Sequence, residues 1–160
     1  MEHQQWRRLD GTRIKQPIAE EIRQMLIRER DLGHELKVCI GTDSQVKSRE
    51  ICFATVIVFL RKGRGGFMYI NKESVQPRMG IKQRMLEEVS RSVEITFALT
   101  DLFIAFNVHM EVHVDINTNP AFKSNDALKD AMGYIMGMGF EFKAKPHAFA
   151  SSSCANKVVQ

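Results

Sequence analysis

One hundred and sixty residues, 44% hydrophobic and 26% charged, suffice for one domain with its own core and exclude a wholly disordered chain. A formal net charge of +4 permits a polyanionic partner without demanding one. The longest apolar run, Phe53 to Leu60, is too short to cross a bilayer, and Met1 to Arg8 lacks the apolar centre of a secretory signal, so no membrane association is expected.

Cys39, Cys52 and Cys154 are odd in number and show no CxxC spacing. That argues against a disulfide framework, fits a reducing compartment and leads to the expectation of a soluble cytoplasmic protein.

The first predicted element is a helix over residues 17–32. Pro17 suits its first turn, Ile18, Ile22, Met25 and Leu26 follow helical spacing, and Gly33 suits its stop. It reads as an N-terminal helical extension, residues 1–35, ahead of a main domain over 36–160. Three strands are predicted next, over 37–43, 51–60 and 66–72. The second is almost continuously apolar, as a strand buried on both faces should be. Arg61 to Gly66 reads as a basic, glycine-rich hairpin connection.

Residues 80–106 carry the strongest helical pattern. Ile81, Met85, Val89, Val93, Leu99 and Phe103 make one stripe, widened by Leu86 and Phe97. Met110, Val112, Val114 and Ile116 then alternate as a fourth strand. A turn at Asn117–Pro120 follows, and Ser124, Asn125 and Asp126 are N-cap candidates for a helix reaching about Met136. Met132, Met136 and Met138 are expected in the core, and Gly133 and Gly137 are expected to let that helix approach the sheet closely. Phe140 to Lys143 can make a short fifth strand, and Ala148 to Val159 a last helix. Hairpin-joined strands followed by alternating helices and strands imply an α/β domain with a mixed five-stranded sheet flanked by helices.

Three acids stand out against this frame. Asp43 closes the run Val38 to Thr42, Asp115 closes Val112 to Val114, and Glu88 lies on the long helix. A carboxylate at the end of a buried strand is costly unless a cation or strong donor meets it. Two such carboxylates and a helical glutamate suggest a shared divalent site, because Mg²⁺ and Mn²⁺ take oxygen ligands. At 100° per residue, Glu88 flanks the apolar stripe, whereas Glu87 falls on the solvent side with Arg91 and Glu94.

The chain resembles the small bacterial YkuK-type ribonuclease-H-like family. Ile40-Gly41-Thr42-Asp43-Ser44-Gln45, Leu86-Glu87-Glu88-Val89, Val114-Asp115-Ile116-Asn117, Met138-Gly139-Phe140 with Lys145-Pro146, and Ala150-Ser151-Ser152 with Ala155 and Lys157 carry the resemblance. The resemblance implies a ribonuclease-H-like fold and a catalytic set at Asp43, Glu88, Asp115 and position 156. Relatives tend to hold an aspartate at that last position; this chain has Asn156. His147 likewise stands where relatives tend to carry an acid. Ser44, Gln45, Asn117, Lys145 and Lys157 are the implied substrate-binding residues.

The expected function is a Mg²⁺- or Mn²⁺-dependent nuclease acting on RNA, DNA or a hybrid by a two-metal-type mechanism. Asp43 would bridge the ions, with Glu88 and Asp115 completing one shell. The alternative is a nucleic-acid-binding or scaffold module that kept the fold, with Asn156 in place of the fourth acid.

Other constellations carry less chemistry. His109 and His113 on one strand lie about 13 Å apart and do not suit one metal. Cys154 and His147 lack an orienting third group for a nucleophile. Ser151 to Ser153 suit a helix cap or a phosphate contact.

Overall fold

The apolar run from Ile51 to Leu60 forms the interior of a six-stranded mixed sheet. The protein is described from a computed structural model over residues 4–76, 78–117 and 125–160. The expected turn through Asn119 and Pro120 and the N-cap candidate Ser124 lie outside these residues, as do the side chains of Asn117, Asn125 and Asp126. In chain order the elements are β1 (Trp6–Arg8), α1 (Ile18–Asp31), β2 (Leu36–Lys47), β3 (Glu50–Arg61), β4 (Gly66–Val75), α2 (Ile81–Ala105), β5 (His109–Asn117), α3 (Asn125–Gly137) and β6 (Glu141–Lys145). A π-helical segment (Ala150–Ala155) then runs directly into α4 (Asn156–Val159).

The strand order is β1-β4-β3-β2-β5-β6. β1 to β4 pair antiparallel, whereas β5 lies parallel to β2 and β6 parallel to β5. One more strand is present than the sequence pattern predicts. Trp6–Arg8 adds to the β4 edge, with Trp6 buried, and three residues are too few to display an alternation.

The sheet separates two unlike layers. On one face α1 and α2 cover Val38, Ile40, Ile57 and Phe59 with Ile22, Leu26, Leu99 and Phe103. Phe59 stacks on Phe67 at 5.4 Å and meets Phe103 edge-on at 6.0 Å. Each such buried side chain contributes about 1.5–3 kcal/mol. Further along the same face α2 and α3 enclose Val112, Val114 and Ile116 with Val89, Val93 and Ile135. The π-helical segment and α4 cover the other face, packing Ala150 and Ala155 on Cys39, Val56 and Val58.

Several expectations are corrected. Asp43 and Asp115 are not the last residues of their strands: Ser44 to Lys47 continue β2 by pairing with Phe53 to Glu50 of β3, and β5 extends to Asn117. Phe97 is 63% exposed because it falls on the outer side of α2, between buried Thr96 and Leu99, and Ile81 is exposed at the first residue of the helix. Met136 is 63% exposed and Met138 is partly so; of the three methionines only Met132 packs against the core. Among the described residues, a Cβ on Gly133 or Gly137 would meet nothing within 4 Å, so no close approach depends on either there. Gly41 does have that role: a Cβ there would lie 2.5 Å from Ser151 N and 2.7 Å from Ala150 C.

Among the described residues, no helix is long and apolar enough to cross a membrane.

Candidate functional site

Alternation along β2 divides its side chains between the two layers. Thr42 and Ser44 turn toward α2, where Thr42 Oγ1 lies 2.7 Å from Ser92 Oγ and Ser44 Oγ donates to Glu88 Oε1 at 2.5 Å. Cys39, Gly41 and Asp43 turn toward the C-terminal segment. The parallel register of β2 and β5 runs to Thr42↔Val114. Asp43 and Asp115 are the next residue on each strand, on the same face of strands about 4.8 Å apart. The β5–β6 register shifts between Val114 and Asn117, so Asp115 sits in an irregularity where its backbone has no paired residue on β6. Irregularities of this kind re-aim a side chain at a sheet's edge.

Each carboxylate has its own donors. Asp43 Oδ2 accepts from Asn156 Nδ2 at 2.7 Å, while Asn156 Oδ1 accepts from Gln160 Nε2 at 2.8 Å. Asp115 Oδ1 accepts from Ser152 Oγ and from Lys145 Nζ, both at 2.9 Å. Glu88 is 6% exposed and reaches the site from the α2 side, whereas Glu87 pairs with Arg91 at 3.0 Å nearer the surface.

The acids sense one another's charge. Burial raises the Asp43 carboxyl above its ordinary range; the Asn156 hydrogen bond opposes the rise and the charge of Asp115 adds to it. Burial pushes Glu88 up to about 8, against the Ser44 hydrogen bond, with the charges of Asp43 and Asp115 raising it further. Arg84, one turn earlier on α2, draws it back down. The Arg84 Nε is buried without a hydrogen-bond partner among the described residues.

The other predicted site residues are placed variously. Lys145 lies on Asp115, Gln45 is exposed beyond Ser44, and Lys157 is exposed on α4. Arg84 and Gly41 also belong to the surroundings of the acids without standing out in the sequence, and Ser152 has a more direct part than a cap or phosphate contact. A glycine inside a buried strand pattern was the available signal for Gly41. His113, unsuited to a metal shared with His109, has a structural part instead. Its Nδ1 accepts from Ala150 N–H at 3.2 Å, so its proton sits on Nε2, which faces Glu111 Oε1 at 2.9 Å. Burial keeps its pKa low, and the neutral ring ties the start of the π-helical segment to β5.

Two other groups of three bring metal-binding atoms within 4.8 Å of one another: Cys39, Glu111 and His113, and His109, Glu111 and Glu141. Asp43, Glu88 and Asp115 do not gather that closely. The first group is a hydrogen-bonded core cluster. His113 holds its proton on the nitrogen facing Glu111, and burial pushes the Cys39 thiol up to about 12. In the second group Lys37 and Lys143 already lie 3.3 Å from Glu111 and Glu141. Both groups lie toward the start of β5, with Glu111 about 13 Å along the strand from Asp115.

Asp43, Glu88 and Asp115 suit a hard divalent cation. All three offer carboxylate oxygens, and two are held above their ordinary pKa in a place where extra positive charge relieves the strain. Asn156 does not suit a second cation, because its amide hydrogens face Asp43 and its oxygen is taken by Gln160.

An antiparallel β2–β3–β4 meander, a long α2, and parallel β5 and β6 with acids at the sheet centre define a ribonuclease-H-like protein. A sequence model described as "Ribonuclease H-like" matches residues 17–160, and the chain belongs to that family. It is similar to the uncharacterized protein YkuK of Bacillus subtilis (strain 168), 27% identical over 146 residues that cover 82% of this chain and 84% of that protein. No solved structure matches.

Proposed function

We propose that this protein is a nuclease that hydrolyses phosphodiester bonds in RNA, DNA or a hybrid with Mg²⁺ or Mn²⁺ held by Asp43, Glu88 and Asp115. The observation that carries this reading is the delivery of Asp43, Glu88 and Asp115 from three elements, with burial raising Asp43 and Glu88 and a lysine on Asp115. Groups arranged in this costly way have a use for a cation.

When bound, the cation stabilises the negative charge that builds on the phosphodiester as water attacks. Asn156 and Ser152 hold the Asp43 and Asp115 carboxylates in place by single hydrogen bonds. Glu88 carries a proton near neutral pH in the cation-free protein and releases it when the site fills. Lys145, Arg84 and the exposed Lys157 provide positive charge for phosphates at the rim. The oxygen donors of the fourth position are spent, which favours one strongly held ion over two. Free thiols at Cys39, Cys52 and Cys154 fit a reducing, cytoplasmic setting.

The second reading is a nucleic-acid-binding module without hydrolysis, and the amide donated by Asn156 to Asp43 favours it. Labelled RNA, DNA and hybrid incubated with Mg²⁺, Mn²⁺ or chelator separate the two. Cleavage that needs the ion and disappears in Asp43→Asn supports the nuclease. Salt-sensitive binding without cleavage supports the module.

A further inference from the structure

We propose that Lys145 is a tethered counter-ion: it holds Asp115 while the site lacks a divalent cation, and it is released to a nucleic-acid phosphate when the cation arrives. This rests on the reading that Asp43, Glu88 and Asp115 hold that cation.

The geometry is specific. Lys145 Nζ and Ser152 Oγ both converge on Oδ1 of Asp115. Ser152 comes from the π-helical segment and is fixed by the backbone behind it. Lys145 comes from the last residue of β6 and keeps 42% of its side chain exposed. It can therefore swing away without emptying a packed space. A divalent cation and the Lys145 ammonium on one carboxylate repel each other at close range, so cation binding loosens the lysine contact and the lysine contact weakens cation binding. A half-exposed pair of this kind is weak enough to be displaced. The freed ammonium stays tethered beside the site, where a phosphate would be its nearest new partner. Cation and nucleic acid then reinforce each other's binding, and by linkage each does so by the same factor.

Lys143 is the appropriate comparison. It lies two residues earlier on β6 and pairs with Glu141 at 3.3 Å, so removing it changes net charge equally without touching Asp115.

The test is Mn²⁺ titration followed by the spin-resonance signal of free Mn²⁺, with and without a phosphorothioate oligonucleotide. Wild type, Lys145→Met, Lys145→Arg, Lys143→Met and Asp115→Asn are compared, each with a thermal melt to confirm folding. The expected result is Mn²⁺ binding about twofold to fivefold tighter in Lys145→Met than in wild type or Lys143→Met, the range a displaced surface pair allows. Lys145→Arg, which keeps the charge, should stay near wild type. The oligonucleotide should tighten Mn²⁺ binding more in wild type than in Lys145→Met. Equal Mn²⁺ affinity in Lys145→Met and wild type, with Asp115→Asn weakened, would overturn the counter-ion role and leave the cation site standing. Absence of saturable Mn²⁺ binding in every variant would overturn both. Should Lys145→Met fail to fold, a Lys145→Arg protein that loses the oligonucleotide coupling while keeping Mn²⁺ affinity would also overturn the proposal.

Discussion

Asn156 donates its side-chain amide to Asp43 across 2.7 Å, joining two residues 113 positions apart in the chain. The position at which the family resemblance implies a fourth acid is here a hydrogen-bond donor. Asp43 is thereby met by a donor from the chain itself, which offsets part of the cost of burying its charge.

Replacing that donor by a carboxylate should therefore destabilise the cation-free protein. Asn156→Asp loses a hydrogen bond to a charged group and sets two acids against each other, a cost of about 1–3 kcal/mol. For a chain of this size that lowers the melting temperature by roughly 2–10 °C. Mn²⁺ should restore more stability to this variant than to wild type. Melts with and without Mn²⁺ check it; an unchanged melt in chelator would mean that the 2.7 Å contact contributes little.

Asp43→Asn should behave in the opposite sense. Burial and the charge of Asp115 both disfavour the Asp43 carboxylate, so a neutral amide should leave the melting temperature in chelator unchanged or higher. Mn²⁺ protection should vanish. A clear loss of stability in chelator would identify Asp43 as a structural residue.

Glu88 gives a pH signature. Its folded pKa, about 8, lies above its unfolded value, so its favourable contribution is complete below the unfolded value and is lost as pH rises through about 8. Glu88→Gln removes that dependence. In chelator the variant should gain on wild type steadily between about pH 5 and pH 8 and then hold its lead. Calorimetry at pH 7 in buffers of different ionisation heat should also detect close to one proton released per Mn²⁺ bound by wild type and fewer by Glu88→Gln. Parallel pH profiles for the two proteins would refute the assignment.

Gly41→Ala tests how the C-terminal segment is seated. The added Cβ would collide with backbone atoms of Ala150 and Ser151, which cannot rotate away as a side-chain tip can. Overpacking of this kind costs about 1–3 kcal/mol. Because the same segment carries Ser152 and leads into Asn156, Mn²⁺ affinity should fall together with the melting temperature.

The parts of this architecture legible in the sequence are those with a repeating local signal. The apolar run of β3, the stripe of α2 and the alternation in β5 each repeat often enough to fix element type, and the 100° spacing separates inward Glu88 from surface Glu87. What remained hidden depends on partners distant in sequence. β1 is a strand because β4 offers an edge, and β2 continues past Asp43 because β3 extends alongside it. Phe97 and Met136 fit an apolar pattern yet lie on the exposed sides of their helices. The π-helical winding of Ala150–Ala155 has no periodicity that six residues could reveal. The donors on the acids, Ser152 and Asn156, meet β5 and β2 only after the chain has returned across the far face of the sheet.

Crystals soaked in Mn²⁺ and measured at its absorption edge test the central claim most directly. The account predicts one strong anomalous peak bonded to oxygens of Asp43, Glu88 and Asp115 at about 2.1 Å, with Lys145 withdrawn from Asp115. A peak at His109, Glu111 and Glu141 alone, or no peak while Asn156 and Lys145 keep their present contacts, would contradict it.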